Sequence, residues 1–207
     1  MNKNNVVFWE VDVQEDFMLP GGKLYVSGAE KIIPNINRLV DVAREGRVLL
    51  ISSACRHLPD DPEFKTFPPH CVRGTSGERI IPQGLAQKVH SLPNDGTAEL
   101  PDSIFDDQQL VIEKQTLDVF SNPHTEAIVD RLGKGTEYLV FGVVVEHCVY
   151  LAAKGLLDRG HKVSIVKDAV ETLSGAAGQR SLDELESLGT SFISTHEAVT
   201  MAGKSGR

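Results

Sequence analysis

Three residues of different reactive types each follow a separate apolar run: Asp12 after Val11, Lys114 after 109–113, and Cys148 after the run that begins at Tyr138. A cysteine that hydrolyses a carbonyl compound needs a thiolate, a group to take and return its proton, and donors for the oxyanion. A carboxylate can hold the proton, and a lysine ammonium can lower the thiol pKa while orienting that carboxylate. Taken singly, each residue has a plainer reading. Most free cysteines are small buried hydrophobes, a strand-end aspartate is as often a turn or cap, and a strand-end lysine is usually a solvated charge. A second group is looser. Cys55, His57, His70 and Cys71, with Asp60, Asp61 and Glu63 among them, could suit a borderline divalent metal, although their spacing matches no zinc-finger pattern.

The elements that must position these groups can be read from the apolar pattern. Residues 6–11 form a short strand that stops at Asp12, and 27–45 have helical spacing, with Gly46 as the C-cap. Strands follow at 48–51 and 109–113, and a helix runs to about Leu132. The run Tyr138-Leu139-Val140-Phe141 reads as a strand buried on both faces, broken at Gly142. From Glu146 to Arg159 the spacing is helical, which puts Cys148 in a first turn, where free amides and the helix dipole favour a thiolate. A further strand at 161–166, a helix at 179–188 and a last short strand at 191–194 complete the pattern, with a small, polar tail from Ala202 expected to fray. Residues 58–101 are rich in Pro, Gly and acidic side chains and read as functional loop. Strands alternating with helices imply an α/β fold, three-layer α/β/α with a mostly parallel sheet, as a single domain over 1–207. In such a sheet the strand ends share one edge, so Asp12, Lys114 and Cys148 could face one pocket.

Composition narrows the partners. A net charge of −8 and the lack of a Lys/Arg cluster argue against nucleic acid. No run of 18 apolar residues suggests a membrane span, and the polar start suggests no signal peptide. Three widely spaced cysteines read as reduced thiols, hence a cytoplasmic protein.

Four blocks, in order, resemble a known family: Val11-Asp12-Val13-Gln14-Glu15-Asp16-Phe17; Phe67-Pro68-Pro69-His70-Cys71-Val72-Arg73-Gly74-Thr75-Ser76-Gly77; the Lys114 strand end; and Gly142-Val143-Val144-Val145-Glu146-His147-Cys148-Val149. The chain is similar to the isochorismatase-like cysteine hydrolases, the superfamily that includes nicotinamidase/pyrazinamidase, from about Val6 to Phe192. The resemblance implies an Asp12–Lys114–Cys148 triad acting through a thioester. It also implies a cis peptide at Val143–Val144 that aims the Val144 amide, with that of Cys148, into an oxyanion hole. Phe17, Phe67 and Val143 would contact the substrate, the two phenylalanines by sandwiching a flat ring, although both could be plain core residues.

Two positions depart from the family pattern. Nicotinamidases carry an Asp-x-His metal motif plus the histidine of the second block; here His57 and His70 are kept, but Cys55 stands where the aspartate should be. Either Cys55 serves as a thiolate ligand beside His57 and His70 for zinc, iron or manganese, or the metal site has decayed. Val145 replaces a threonine frequent in relatives. The resemblance thus implies a nicotinamidase-type amidase of a small planar carboxamide, assembled as a homo-oligomer. The alternatives are a hydrolase of the same mechanism acting on another amide, carbamoyl or ureido compound, a non-catalytic binding protein, and a thiol redox sensor in which Cys71 approaches Cys148.

Overall fold

A computed structural model describes residues 5–205. Seven strands, β1 (Asn5–Val11), β2 (Leu49–Cys55), β3 (Val89–Leu92), β4 (Gln109–Lys114), β5 (Thr136–Val143), β6 (Lys162–Glu171) and β7 (Ser191–Ile193), form one sheet in the order β3-β4-β2-β1-β5-β6-β7. Every neighbouring pair is parallel. The helices are α1 (Glu15–Met18), α2 (Ile33–Arg44), α3 (Thr125–Leu132), α4 (Tyr150–Asp158), α5 (Gly175–Ser187) and α6 (Thr195–Ser205). No helix among the described residues is long and apolar enough to cross a membrane.

Alternation along the strands sorts the core into two layers. Phe8, Leu50, Leu139 and Phe141 pack with Ile36, Leu39 and Val40 of α2 and with Ala198 and Ala202 of α6. Their neighbours Trp9, Ile51, Tyr138 and Val140 pack with Ile128 of α3, Ala153 and Leu156 of α4 and Leu185 of α5. The central strands are therefore apolar on both faces, as a parallel sheet covered by helices requires. The three-layer α/β/α architecture is the one expected.

Several boundaries differ from the sequence reading, each for a physical reason. The strand β2 runs on through Ser52 and Ser53 to Cys55, because both serine hydroxyls find buried acceptors on β1. The strand β3 lies inside the segment read as loop; it is a short edge strand with mostly exposed residues, so it carries no apolar run. The tail is not frayed where it is described. Residues 202–205 continue α6, and Ala202, like Ala198 one turn before it, is buried in the core layer that α2 shares. Pro34 sits in the first turn of α2, where its missing N–H costs no helical bond, so the helix proper starts later than expected after a 3-10 turn at Ala29–Lys31.

One buried polar group sits at mid-sheet. Glu10 is fully buried on β1; its Oε2 accepts from the Ser52 hydroxyl at 2.7 Å, and Gln109 Nε2 donates to that hydroxyl at 2.8 Å. Oε1 has no partner. Burial pushes this carboxyl up to about 8, against the Ser52 hydrogen bond and the Arg44 charge. A folded-state pKa above the unfolded one favours the neutral acid, so the stability this gives is complete below about 4.5 and is lost as pH rises through about 8. The neutral isostere Glu10→Gln is expected to stabilise the fold by an amount that grows between pH 5 and pH 8 to a few kcal/mol. Urea unfolding at several pH values measures this, and a difference independent of pH would refute the assignment.

Candidate active site

The site is built where β1, β2, β4 and β5 end together. Asp12 follows β1 with φ 51°, a left-handed conformation that Asp tolerates better than most residues, and its N–H donates to Ser53 O at 3.0 Å. That bend starts a run in which alternate polar residues become the scaffold of the site. Gln14 spans to β2, accepting from the Cys55 N–H at 2.7 Å and donating to the Cys55 carbonyl at 2.7 Å and the Glu78 carbonyl at 2.8 Å. The Asp16 carboxylate accepts from Cys71 N–H at 2.7 Å and Lys23 N–H at 2.9 Å, clamping the Pro/Gly-rich loop. A Cβ on Gly77 would lie 2.0 Å from that carboxylate, so no larger residue fits there. The sequence reading did not single out Gln14 and Asp16. Their period of two with Asp12, alternating with Val11 and Val13, was the available signal.

Lys114, read singly as a surface charge, is fully buried. Its Nζ donates to Asp12 Oδ2 at 2.9 Å, Cys55 Sγ at 3.0 Å and Cys148 Sγ at 3.5 Å, which uses all three ammonium hydrogens. Burial works against its charge, but Asp12 and the two sulfurs outweigh it and hold the group well above the ordinary lysine value. The ammonium is therefore fixed. Asp12 Oδ1, by contrast, is buried without a hydrogen-bond partner.

Cys148 is buried within a π-helical turn, Val145–Val149, that leads into α4. The Val143–Val144 peptide is cis. Gly142, at φ 115°, lies so close to β1 that a Cβ would fall 2.1 Å from Val11 O. A helix start alone would lower the thiol pKa. Burial pushes it well above the ordinary cysteine value, and the Asp12 charge adds to this, while Lys114 opposes it. Cys55 is likewise pushed up, to about 12, by burial and then by Asp12. Cys71, considered as a resolving thiol, is fully buried and donates its Sγ–H to Gly77 O at 3.6 Å.

The three residues singled out for a metal come together. One donor atom each from Cys55, His57 and His70 lies within 4.8 Å of the others, and all three side chains are buried. His70 Nδ1 is 2.8 Å from Pro68 O, a contact that fixes the proton there and leaves Nε2 as the lone-pair nitrogen. Burial holds His70 below the ordinary histidine value, in the neutral form that ligates. Neither ring nitrogen of His57 makes a hydrogen bond, although Nδ1 is 3.0 Å from Asp61 Oδ2. Both Nε2 atoms lie 3.8 Å from the same oxygen, Glu63 Oε1, the donor among the nearby acids that the sequence left unselected. An orphaned buried imidazole facing a thiol, a second imidazole and a carboxylate fits a divalent ion.

These groups line a single pocket. Asp12, Cys55, Glu63, His70 and Cys148 form its polar side, and Phe17, Phe67, Val143, Val144 and His147 contribute to the rest. The Phe17 and His70 ring centroids are 5.2 Å apart, and those of Phe67 and His147 5.7 Å. Glu146, two residues before Cys148, accepts from the Thr172 hydroxyl at 2.6 Å and the Ser174 N–H at 2.7 Å, holding Leu173 at the pocket rim.

The family model described as "Isochorismatase domain" matches residues 7–197. A nicotinamidase of Saccharomyces cerevisiae is 24% identical over 189 residues, covering 79% of this chain and 87% of the relative. A probable inactive nicotinamidase of Arabidopsis thaliana is 22% identical, covering 93% and 94%. The crystal structure of the pyrazinamidase of Pyrococcus horikoshii in complex with zinc superposes with a TM-score of 0.73 at 25% identity, covering 92% of this chain and 99% of that one.

Because Lys114 is a positive charge beside Cys148, Lys114→Met is expected to raise the thiol pKa further. Alkylation of Cys148 by iodoacetamide at neutral pH should then slow by at least about tenfold, one pKa unit's worth. Mass spectrometry of the labelled peptide follows the rate, with circular dichroism confirming the fold. An unchanged rate would remove Lys114 from thiol activation.

Proposed function

The chain belongs to the isochorismatase family, and from that premise we propose that it is a cysteine amidohydrolase of the nicotinamidase type. Its reaction is the hydrolysis of a small planar carboxamide, such as nicotinamide, to the acid and ammonia. The observation that carries this reading is the buried Lys114 ammonium, within hydrogen-bond reach of both Asp12 and Cys148, which line one pocket. Nicotinamidases and a pyrazinamidase among the relatives support the same reaction class.

In this reading Cys148 is the nucleophile and rests as a neutral thiol. Asp12 takes its proton as sulfur attacks the carbonyl carbon, and Lys114 keeps the carboxylate ionised and in place. The N–H groups of Val144 and Cys148 receive the developing oxyanion; one such donor is worth about 3 kcal/mol of barrier. Asp12 then delivers the proton to the leaving nitrogen, so that ammonia departs and a Cys148 thioester remains. The same carboxylate removes a proton from water as it attacks the thioester, returning the thiol. Phe17 and Phe67 face the flat substrate from two sides, with Val143 at its edge.

Cys55, His57 and His70, with Glu63, would hold a divalent ion, zinc suiting the thiol and imidazole donors best, with iron or manganese as alternatives. When bound, such an ion supplies a Lewis-acid position for a ring nitrogen or an oxygen of the substrate. The replacement of the expected aspartate by Cys55 and the apolar Val145 favour a second reading, the same mechanism on another amide, carbamoyl or ureido substrate.

Ammonia release from nicotinamide by the purified chain is expected, with Cys148→Ala lowering it by at least about 10⁴-fold while the fold is kept. Turnover that survives this change would require another nucleophile. Elemental analysis of protein expressed with zinc should find about one ion per chain, and the double variant His57→Ala/His70→Ala should purify without it. Equal metal content in the two proteins would move the ion elsewhere.

A further inference from the structure

The pocket does not end at Leu173. Beyond it a second groove runs between the turn that carries Cys148 and the first half of α5, and the two cavities share the side chains of His147 and Leu173 as a common wall. Its floor is mixed. Leu173 and Ala177 give an apolar strip, and Arg180, Ser181 and Glu184 close the far side.

The charges in this groove are unevenly used. Glu146 keeps its negative charge and is held in place by the Thr172 hydroxyl and the Ser174 N–H, both neutral donors. Glu184, one turn along α5 from Arg180, accepts the Tyr150 hydroxyl at 2.6 Å. The side chains of Arg180 and Ser181 have no hydrogen-bond or ion-pair partner among the described residues. Arg180 thus brings an uncommitted guanidinium to a groove that shares a wall with the inner pocket. Its planar fork matches a carboxylate in two parallel hydrogen bonds.

We infer that this groove is a substrate subsite for a carboxylate, so that the amide hydrolysed at Cys148 carries an anionic tail that crosses His147 and Leu173 to reach Arg180 and Ser181. The inference rests on the amidase reading above and adds to it the class of substrate: a carboxamide, several bonds long, with a carboxylate at its other end. The apolar middle of the tail lies on Leu173 and Ala177, and its charge pairs with the Arg180 guanidinium. A neutral ring amide would fill only the inner pocket. Glu146 acts here as a positioning residue, since its two bonds hold the Leu173 wall between the cavities.

The test compares adipic acid monoamide with hexanamide, which has the same length but lacks the carboxylate. Calorimetric binding to the zinc-supplemented Cys148→Ala protein at low salt should favour the monoamide by about fivefold, as an exposed Arg–carboxylate pair allows. The preference should vanish in Cys148→Ala/Arg180→Gln, survive in part with Arg180→Lys, and narrow as salt is added. Equal affinity for the two amides, or a preference that Arg180→Gln leaves intact, overturns the subsite. Ammonia release by the protein with Cys148 in place separates this from the amidase reading. Binding preference without hydrolysis of either amide or of nicotinamide sinks the amidase and leaves the subsite. Hydrolysis with the same KM for the monoamide before and after Arg180→Gln sinks the subsite and leaves the amidase.

Discussion

The structure around the site depends on one buried cation. The Lys114 ammonium is fully buried, and an unpaired charge in that position would cost several kcal/mol. It is tolerable only because Asp12 and the sulfurs of Cys55 and Cys148 converge on it. Those three partners come from the ends of β1, β2 and the segment after β5, so the register of four strands must be right for the charge to be paired at all. A single electrostatic requirement thus ties the alignment of the sheet to the assembly of the reactive groups. At the two thiols Lys114 opposes burial and the Asp12 charge, which together hold both above the ordinary cysteine value.

Around that cation, backbone hydrogen bonds do the positioning. The block from Val11 to Phe17 is short, yet Gln14 and Asp16 send side chains into two otherwise separate stretches, the end of β2 and the loop at 70–78. The bridge between His57 and Val72 extends this pairing into the loop. His57, His70 and Glu63 are therefore held on a segment that has little regular structure of its own. A loop fixed from beneath by buried side chains can carry donors as firmly as a strand.

Much of this was legible in the chain, for reasons that differ residue by residue. Residues 6–11 and 138–141 announce themselves because strands buried on both faces must be apolar throughout. Cys148 could be placed because the periodicity changes from strand to helix just before it. The ordered blocks pointed to the family that the domain match then showed. The edge strand β3 was illegible since only Leu92 among its residues is fully buried. Lys114 could be nominated as a partner of Asp12 but its burial could not be read, because burial of a lysine depends on partners more than a hundred positions away in part. The last helix was missed because small residues such as Ala198 and Ala202 look like tail composition, whereas in the fold they let two helices approach closely.

The position of β1 in the sheet has a consequence for how the chain comes into being. The strand nearest the N-terminus is the central one, flanked by β2 and by β5, whose first paired residue is Thr136. During synthesis β1 can acquire its first neighbour early, but its second does not exist until two thirds of the chain has been made. Pairing across so many residues is the slow kind of contact, and until it forms one edge of an apolar strand stays open. The pocket is therefore finished late. A nascent or truncated chain that stops short of β5 carries Asp12, Lys114 and both histidines yet has no site to put them in.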